Sequence, residues 1–282
     1  MYYEEFKETL MAELMDYLPV KYGNWNMELR EVPKVNGYLE GISMVSPVEN
    51  SASPTIYVKD LFRYYQQCEN MDRVCQRAAA IFVKGIDYAL RMEEQLEDEL
   101  PFENIIFTLI NQKENERLLK DVPHRTFLDM ALIYRVMIYD GEGGINTATI
   151  TNSLAEDYRL SEEKLYQLAL ENTPRLLPAE VHTVDGMMAI LTNEQKILGA
   201  TSMLYPGVLA DIAETLNGNL FILPSSIHEV FLIPVDGQKM EEMNDTIAEA
   251  NESFCKDEEI LSNHVYFYDC DADLVRIPFS AE

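Results

Sequence analysis

Two apolar runs, Leu220–Leu223 and Val230–Ile233, flank the polar break Pro224-Ser-Ser-Ile-His-Glu229. Runs that short, bounded by Pro and Ser and rich in Phe, Val and Ile, suit a buried strand and are too short for a helix. They predict two adjacent strands, Asn219–Leu223 and Val230–Val235, with Phe221 and Phe231 both in the core. Helices are expected on either side, at Pro206–Leu216, where Pro sits in the first turn, and at Met240–Phe254. Ile197–Tyr205 completes the pattern as a strand, and His264–Tyr268 with Val275–Pro278 closes it as a hairpin. The order β-α-β-β-α-β is that of a split βαβ sheet with helices on one face. Sheets of that kind host unrelated chemistries, so the order carries no function.

Upstream, Phe6, Leu10, Leu14 and Leu18 recur every four residues and make Tyr2–Tyr17 an amphipathic helix. Asn26–Val32 and Tyr38–Val45 read as strands joined at Asn36-Gly37, a strong hairpin signal. Thr55–Val58 reads as a short strand. Asp72–Glu99 is the longest helix, with a stripe of Val74, Ala78, Phe82, Ile86 and Leu90. Asn104–Asn111 and Thr126–Tyr139 read as strands around a short helix, Glu114–Leu119. Asp140–Gly144 is a hairpin turn leading into Ile145–Ile150, and Ser161 is the N-cap of the next helix. The stretch Asn172–Pro178, with its two prolines, ends that helix and marks the expected lobe boundary. The chain is therefore expected to be α+β with two closely packed lobes. Residues 1–175 form one, with a long helix and a hairpin-rich sheet, and residues 176–282 the other.

Charge narrows the partners. Lys and Arg number 22 against 49 Asp and Glu, a net charge of −27. Such a field repels phosphate backbones and anionic membrane surfaces, so neither direct nucleic-acid binding nor membrane attachment is expected. The start, Met1-Tyr-Tyr-Glu-Glu, has neither the basic nor the apolar region of a signal peptide, and no window is apolar enough to span a bilayer. Four cysteines without a C-x-x-C pair point to free thiols in a reducing cytoplasm.

Three clusters carry side chains capable of chemistry. Ser225, Ser226, His228 and Glu229 could supply a nucleophile, a base and an orienting carboxylate. Against this, a Ser so close in sequence to its own His rarely points at it, and no nucleophile-elbow motif is present. Leu232 stands where a zinc-binding helix would need its second His. On the Thr126–Tyr139 strand, Asp129 and Arg135 share one face by period-two alternation, with His124 and Arg125 just upstream. Both faces are apolar, so these charges need partners; an ion pair is one answer and an anionic ligand held by Arg135 is another. Asp269-Cys-Asp-Ala-Asp273 has the alternating carboxylates of a calcium loop, but Leu274 and Ser280 occupy positions that need Gly and Glu. Gly141, Gly143 and Gly144 precede a strand, where a phosphate cradle needs a helix. No metal or cofactor is indicated.

Four blocks, Asn111–His124, Phe127–Tyr134, Glu171–Pro178 and Leu223–Val230, resemble an uncharacterised family of Clostridia-type Firmicutes, a domain of unknown function. The resemblance spans most of the chain. It implies a cytoplasmic bacterial protein and transfers no functional residues. Together these readings favour a non-enzymatic binding or regulatory protein whose partner is another protein or a small ligand. The alternatives are a hydrolase using Ser225 or Ser226 with His228 and Glu229, and an acidic decoy for a basic nucleic-acid-binding protein.

Overall fold

The computed structural model describes residues 1–47, 53–96, 100–139, 145–184, 186–224, 226–235 and 240–278. The expected turn at Asp140–Gly144, with its glycines, lies outside the described residues, as do Ser225 and Ser280. The fold is α+β. Met1–Lys34 and Tyr38–Leu100 form one compact unit; Val35–Gly37 and Pro101–Glu282 form the second.

In the first unit, α1 (Tyr3–Glu13) is followed by the strands β1 (Asn26–Lys34), β2 (Gly37–Val45) and β3 (Thr55–Tyr57), which form a sheet in that order. Asn36 takes the left-handed conformation, φ 61°, that its place in a hairpin turn requires. The helices α2 (Val58–Cys68) and α3 (Met71–Leu96) complete the unit. Phe6, Leu10 and Leu14, then Ile42 and Met44, then Val74, Ala78 and Phe82 meet in one buried cluster. The four-residue periodicity of the first helix and of α3 thus becomes the core, as its apolar stripes demand.

The second unit opens with β4 (Ile105–Asn111), α4 (Leu118–Asp121), β5 (His124–Phe127), β6 (Met130–Tyr139) and β7 (Ile145–Thr149). β6 pairs with β4 along one side; along the other it pairs first with β5 and then with β7. This corrects the single strand expected over Thr126–Tyr139. The chain reverses at Leu128-Asp129, with Phe127 opposite Met130. Leu128 has φ 57°, the positive value that the first residue of a type II′ hairpin loop needs. Leu is a poor residue for that conformation, so local sequence gives no turn signal. The short helix also starts later than expected, at Leu118.

Next come α5 (Asn152–Asp157) and α6 (Glu162–Leu176). The Ser161 hydroxyl accepts the Lys164 N–H, the expected N-cap. The helix ends at Leu176, within the expected Asn172–Pro178 stretch, after running through Pro174. The outer edge of β4 is then closed by side chains. The Phe107 and Leu109 N–H groups donate to the hydroxyls of Thr173 and Thr201, at 3.1 and 3.2 Å. The expected boundary at residues 175/176 lies within this unit, because β4 is capped from both sides of it: by α6 before and by the Gly199–Leu204 turn after.

The remaining strands are β8 (Ala179–Val184), β9 (Met188–Asn193), β10 (Leu220–Leu223), β11 (Val230–Pro234), β12 (Tyr266–Asp269) and β13 (Leu274–Arg276). They form one sheet in the order β13-β12-β10-β11-β9-β8, every neighbouring pair antiparallel. The helices α7 (Val208–Thr215) and α8 (Met240–Phe254) match expectation, as does the β10–β11 pair. Ile197–Tyr205 does not: it holds a 3-10 helix at Gly199–Leu204, and the β8–β9 hairpin supplies the strands instead. A buried apolar run has no periodicity to separate strand from helix. Gly199 opens the 3-10 turn against β9 and the His228 carbonyl, where only Gly fits, since a Cβ would lie 2.3 Å from Thr192 Oγ1 and 2.4 Å from that carbonyl. Phe221 is buried against Met243, Ile247 and Val265. Phe231 is only half-buried, because its face of β11 is not fully covered. Among the described residues, no helix is long and apolar enough to cross a membrane.

Candidate functional site

The second unit brings Asp129 to residues that local reading does not associate with it. The tight β5–β6 turn projects its carboxylate toward the segment that enters β12. There Asp129 Oδ2 lies 2.7 Å from His264 Nδ1 and accepts the Ser262 hydroxyl at 3.0 Å. Oδ1 accepts the Tyr266 hydroxyl. Because an ionised carboxylate only accepts, the imidazole hydrogen sits on Nδ1 and Nε2 is left as the acceptor. The His264 side chain is 57% exposed while Tyr266 is fully buried. Burial, with Asp129 beside it, pushes the Tyr266 phenol well above its usual range, so it remains a donor. The result is an exposed imidazole whose ring is oriented by an anchored carboxylate, the arrangement used by general bases. The Ser262 hydroxyl is not a nucleophile here, since it is buried, donates to Asp129 and accepts the His264 N–H.

Asp129 and Arg135 do not meet. Six residues along a hairpin separate them, about 20 Å at ~3.4 Å per residue. Arg135 lies mid-strand between Ile106 of β4 and Thr149 of β7. Its Nε donates to Thr149 Oγ1 at 3.3 Å. Burial lowers its pKa with no acid to offset it. Arg125 shows the contrast. Its Nε and Nη2 hold both oxygens of Glu162 at 3.0 and 2.9 Å, and Nη2 also reaches Glu163 at 2.7 Å. Its guanidinium stacks 3.8 Å from the Tyr166 ring centroid, and Tyr134 donates to the same Glu162. These acids occupy the first turn of α6, where the helix dipole favours them. His124 is exposed, with Nδ1 3.1 Å from the Val122 carbonyl, and lines a surface pocket together with Glu162.

The Ser226–Glu229 stretch is organised as a turn. Ser226 Oγ accepts the N–H groups of His228 and Glu229, at 3.0 and 3.3 Å. His228 Nδ1 accepts the Leu198 N–H at 3.2 Å, which leaves the hydrogen of the neutral ring on Nε2. The carboxylate facing Nε2, at 4.0 Å, is Glu259. Glu229 instead adds its charge, with that of Glu259, to the burial that raises the Cys255 thiol. Sequence reading therefore missed Glu259, His264, Ser262 and Tyr266. All four partners lie more than thirty positions from the residues they serve, so no local pattern could signal them. The Asp269–Asp273 segment is likewise a turn: Asp269 Oδ1 accepts the N–H groups of Asp271 and Ala272, both at 3.2 Å.

A family model described as a family of unknown function (DUF5688) matches residues 3–190 and 183–270, so the chain belongs to that family. No curated protein and no solved structure matched the chain.

Proposed function

We propose, for this member of a family of unknown function, that the chain is a non-enzymatic binding protein for a small anion, a carboxylate or phosphate, held by Arg135. The observation that carries the reading is the unpaired guanidinium. Arg135 is half-buried on β6 and, among the described residues, makes one hydrogen bond, to the neutral Thr149 hydroxyl. In a chain with 49 acidic residues, no described carboxylate lies within ion-pair distance of it. A desolvated charge without a partner is costly, and the remaining N–H donors of the planar fork match the parallel oxygens of a carboxylate or phosphate.

Isothermal titration of the full chain with inorganic phosphate and with acetate tests this. Binding of at least one anion is expected, and Arg135→Met should abolish it. The variant should fold with stability within about 1 kcal/mol of the parent, because it removes a charge that no described carboxylate pairs. A loss of about 3–5 kcal/mol, as for a broken buried ion pair, or silence toward both anions, refutes the reading.

The Asp129–His264 pair favours a second reading, a hydrolase that uses water in place of the serines first considered. Its check is p-nitrophenyl acetate turnover. A rate above that of free imidazole that falls with both His264→Ala and Asp129→Asn would replace the binding reading.

A further inference from the structure

The strand β8 ends the six-stranded sheet, and no described strand pairs with its outer side. A free edge presents unpaired N–H and C=O groups, and stable proteins blunt such edges by shortness, Lys, Pro or bulges. The opposite edge follows that rule: β13 has three residues, carries Arg276 and runs into Pro278. β8 does not. Its six residues, Ala179-Glu-Val-His-Thr-Val184, contain no Lys, Arg, Pro or Gly, and Val181 and Val184 are exposed, as is Met187 in the following turn.

We propose that this edge is the interface between two copies of the chain, paired antiparallel about a two-fold axis at Val181. The charge pattern selects the register. Centred on Val181, Glu180 of each copy stands opposite His182 of the other, and Ala179 stands opposite Thr183. Centred one residue earlier, two Glu180 carboxylates would oppose each other; one residue later, the opposed pair is His182 with itself and the complementarity is lost. Opposed residues in an antiparallel pair share a face at close range, so a carboxylate facing an imidazole N–H stabilises and two facing carboxylates repel. Within one copy Glu180 Oε1 already lies 3.3 Å from His182 Nε2, so the cross-strand pairs extend an existing Glu–His pair along the edge. A two-fold repeats every contact, which makes a self-complementary edge an isologous interface.

Sedimentation equilibrium of the full chain over a wide concentration range tests the proposal. The parent should dimerise reversibly. Val181→Lys, at an exposed position, should leave the circular dichroism spectrum unchanged and yield monomer. Glu180→His and His182→Glu should each weaken the dimer about tenfold or more, and the double variant, which exchanges the two residues, should recover most of that loss. A monomeric parent overturns the proposal, as does a dimer indifferent to Val181→Lys. A dimer that the single exchanges weaken and the double exchange fails to restore overturns the register and with it the interface as drawn.

Discussion

Replacing Asp129 with Ala removes the acceptor shared by three donors, and the structure sets the size of the loss. Tyr266 is fully buried, so its hydroxyl would lose its acceptor where water cannot replace it, at about 1–3 kcal/mol. Ser262, also buried, keeps the His264 N–H and loses its carboxylate acceptor, a further cost of about 1 kcal/mol at most because the Tyr266 phenol is a second partner for its hydroxyl. The His264 bond lies at the surface and contributes about 1 kcal/mol or less. The expected total is roughly 3 kcal/mol, a fall in melting temperature of about 6–12 °C for a unit of this size. His264→Ala should cost about 1 kcal/mol or less. Tyr266→Phe in the Asp129→Ala background should recover about 1 kcal/mol or more, because it deletes the orphaned hydroxyl. Urea and thermal melts of the three single-site and combined variants measure all of this. An Asp129→Ala loss under about 1 kcal/mol, or additive effects of Asp129 and Tyr266, would show that the carboxylate does not hold the buried phenol.

Acid should release the α6 clamp. Burial alone would raise Glu162, but Arg125 and Tyr134 outweigh it and hold the folded pKa below the usual carboxylate value. Its contribution is therefore complete above about pH 4.3 and is lost as pH falls through the lowered folded value. Glu162→Gln should flatten that limb of a stability-versus-pH curve; an unchanged slope would refute the assignment. Cysteine alkylation should follow burial. Cys270 is exposed, whereas Cys75 is buried and pushed up to about 11 by that burial with Glu13 and Asp72 nearby. All four should count as free thiols after denaturation, and mass mapping of native protein should find Cys270 labelled first. Early labelling of Cys75 would contradict the packing around α3.

Periodicity determined much of the fold in advance. The helices at the N-terminus, over 71–96 and over 240–254, the hairpin at Asn36-Gly37 and the strands at 220–223 and 230–234 follow from apolar spacing and turn residues, which act within a few positions. The reversal at Leu128-Asp129 did not follow, because Leu adopts a positive φ only where the pairing of His124–Phe127 with Met130–Ile133 compels it. The 3-10 turn at Gly199–Leu204 was also hidden, because a buried apolar run carries no period that separates strand from helix. The site divides in the same way. Period-two alternation on an apolar strand marked Asp129 and Arg135 as charges needing partners, and residue type marked His228 as a candidate base. Which partners they received was settled in three dimensions: His264, Ser262 and Tyr266 for Asp129, Glu259 for His228, and for Arg135 the Thr149 hydroxyl with no described carboxylate. Side-chain hydrogen bonds act over about 3 Å in space and are indifferent to distance along the chain, so a single sequence states the demand while tertiary structure assigns the supply.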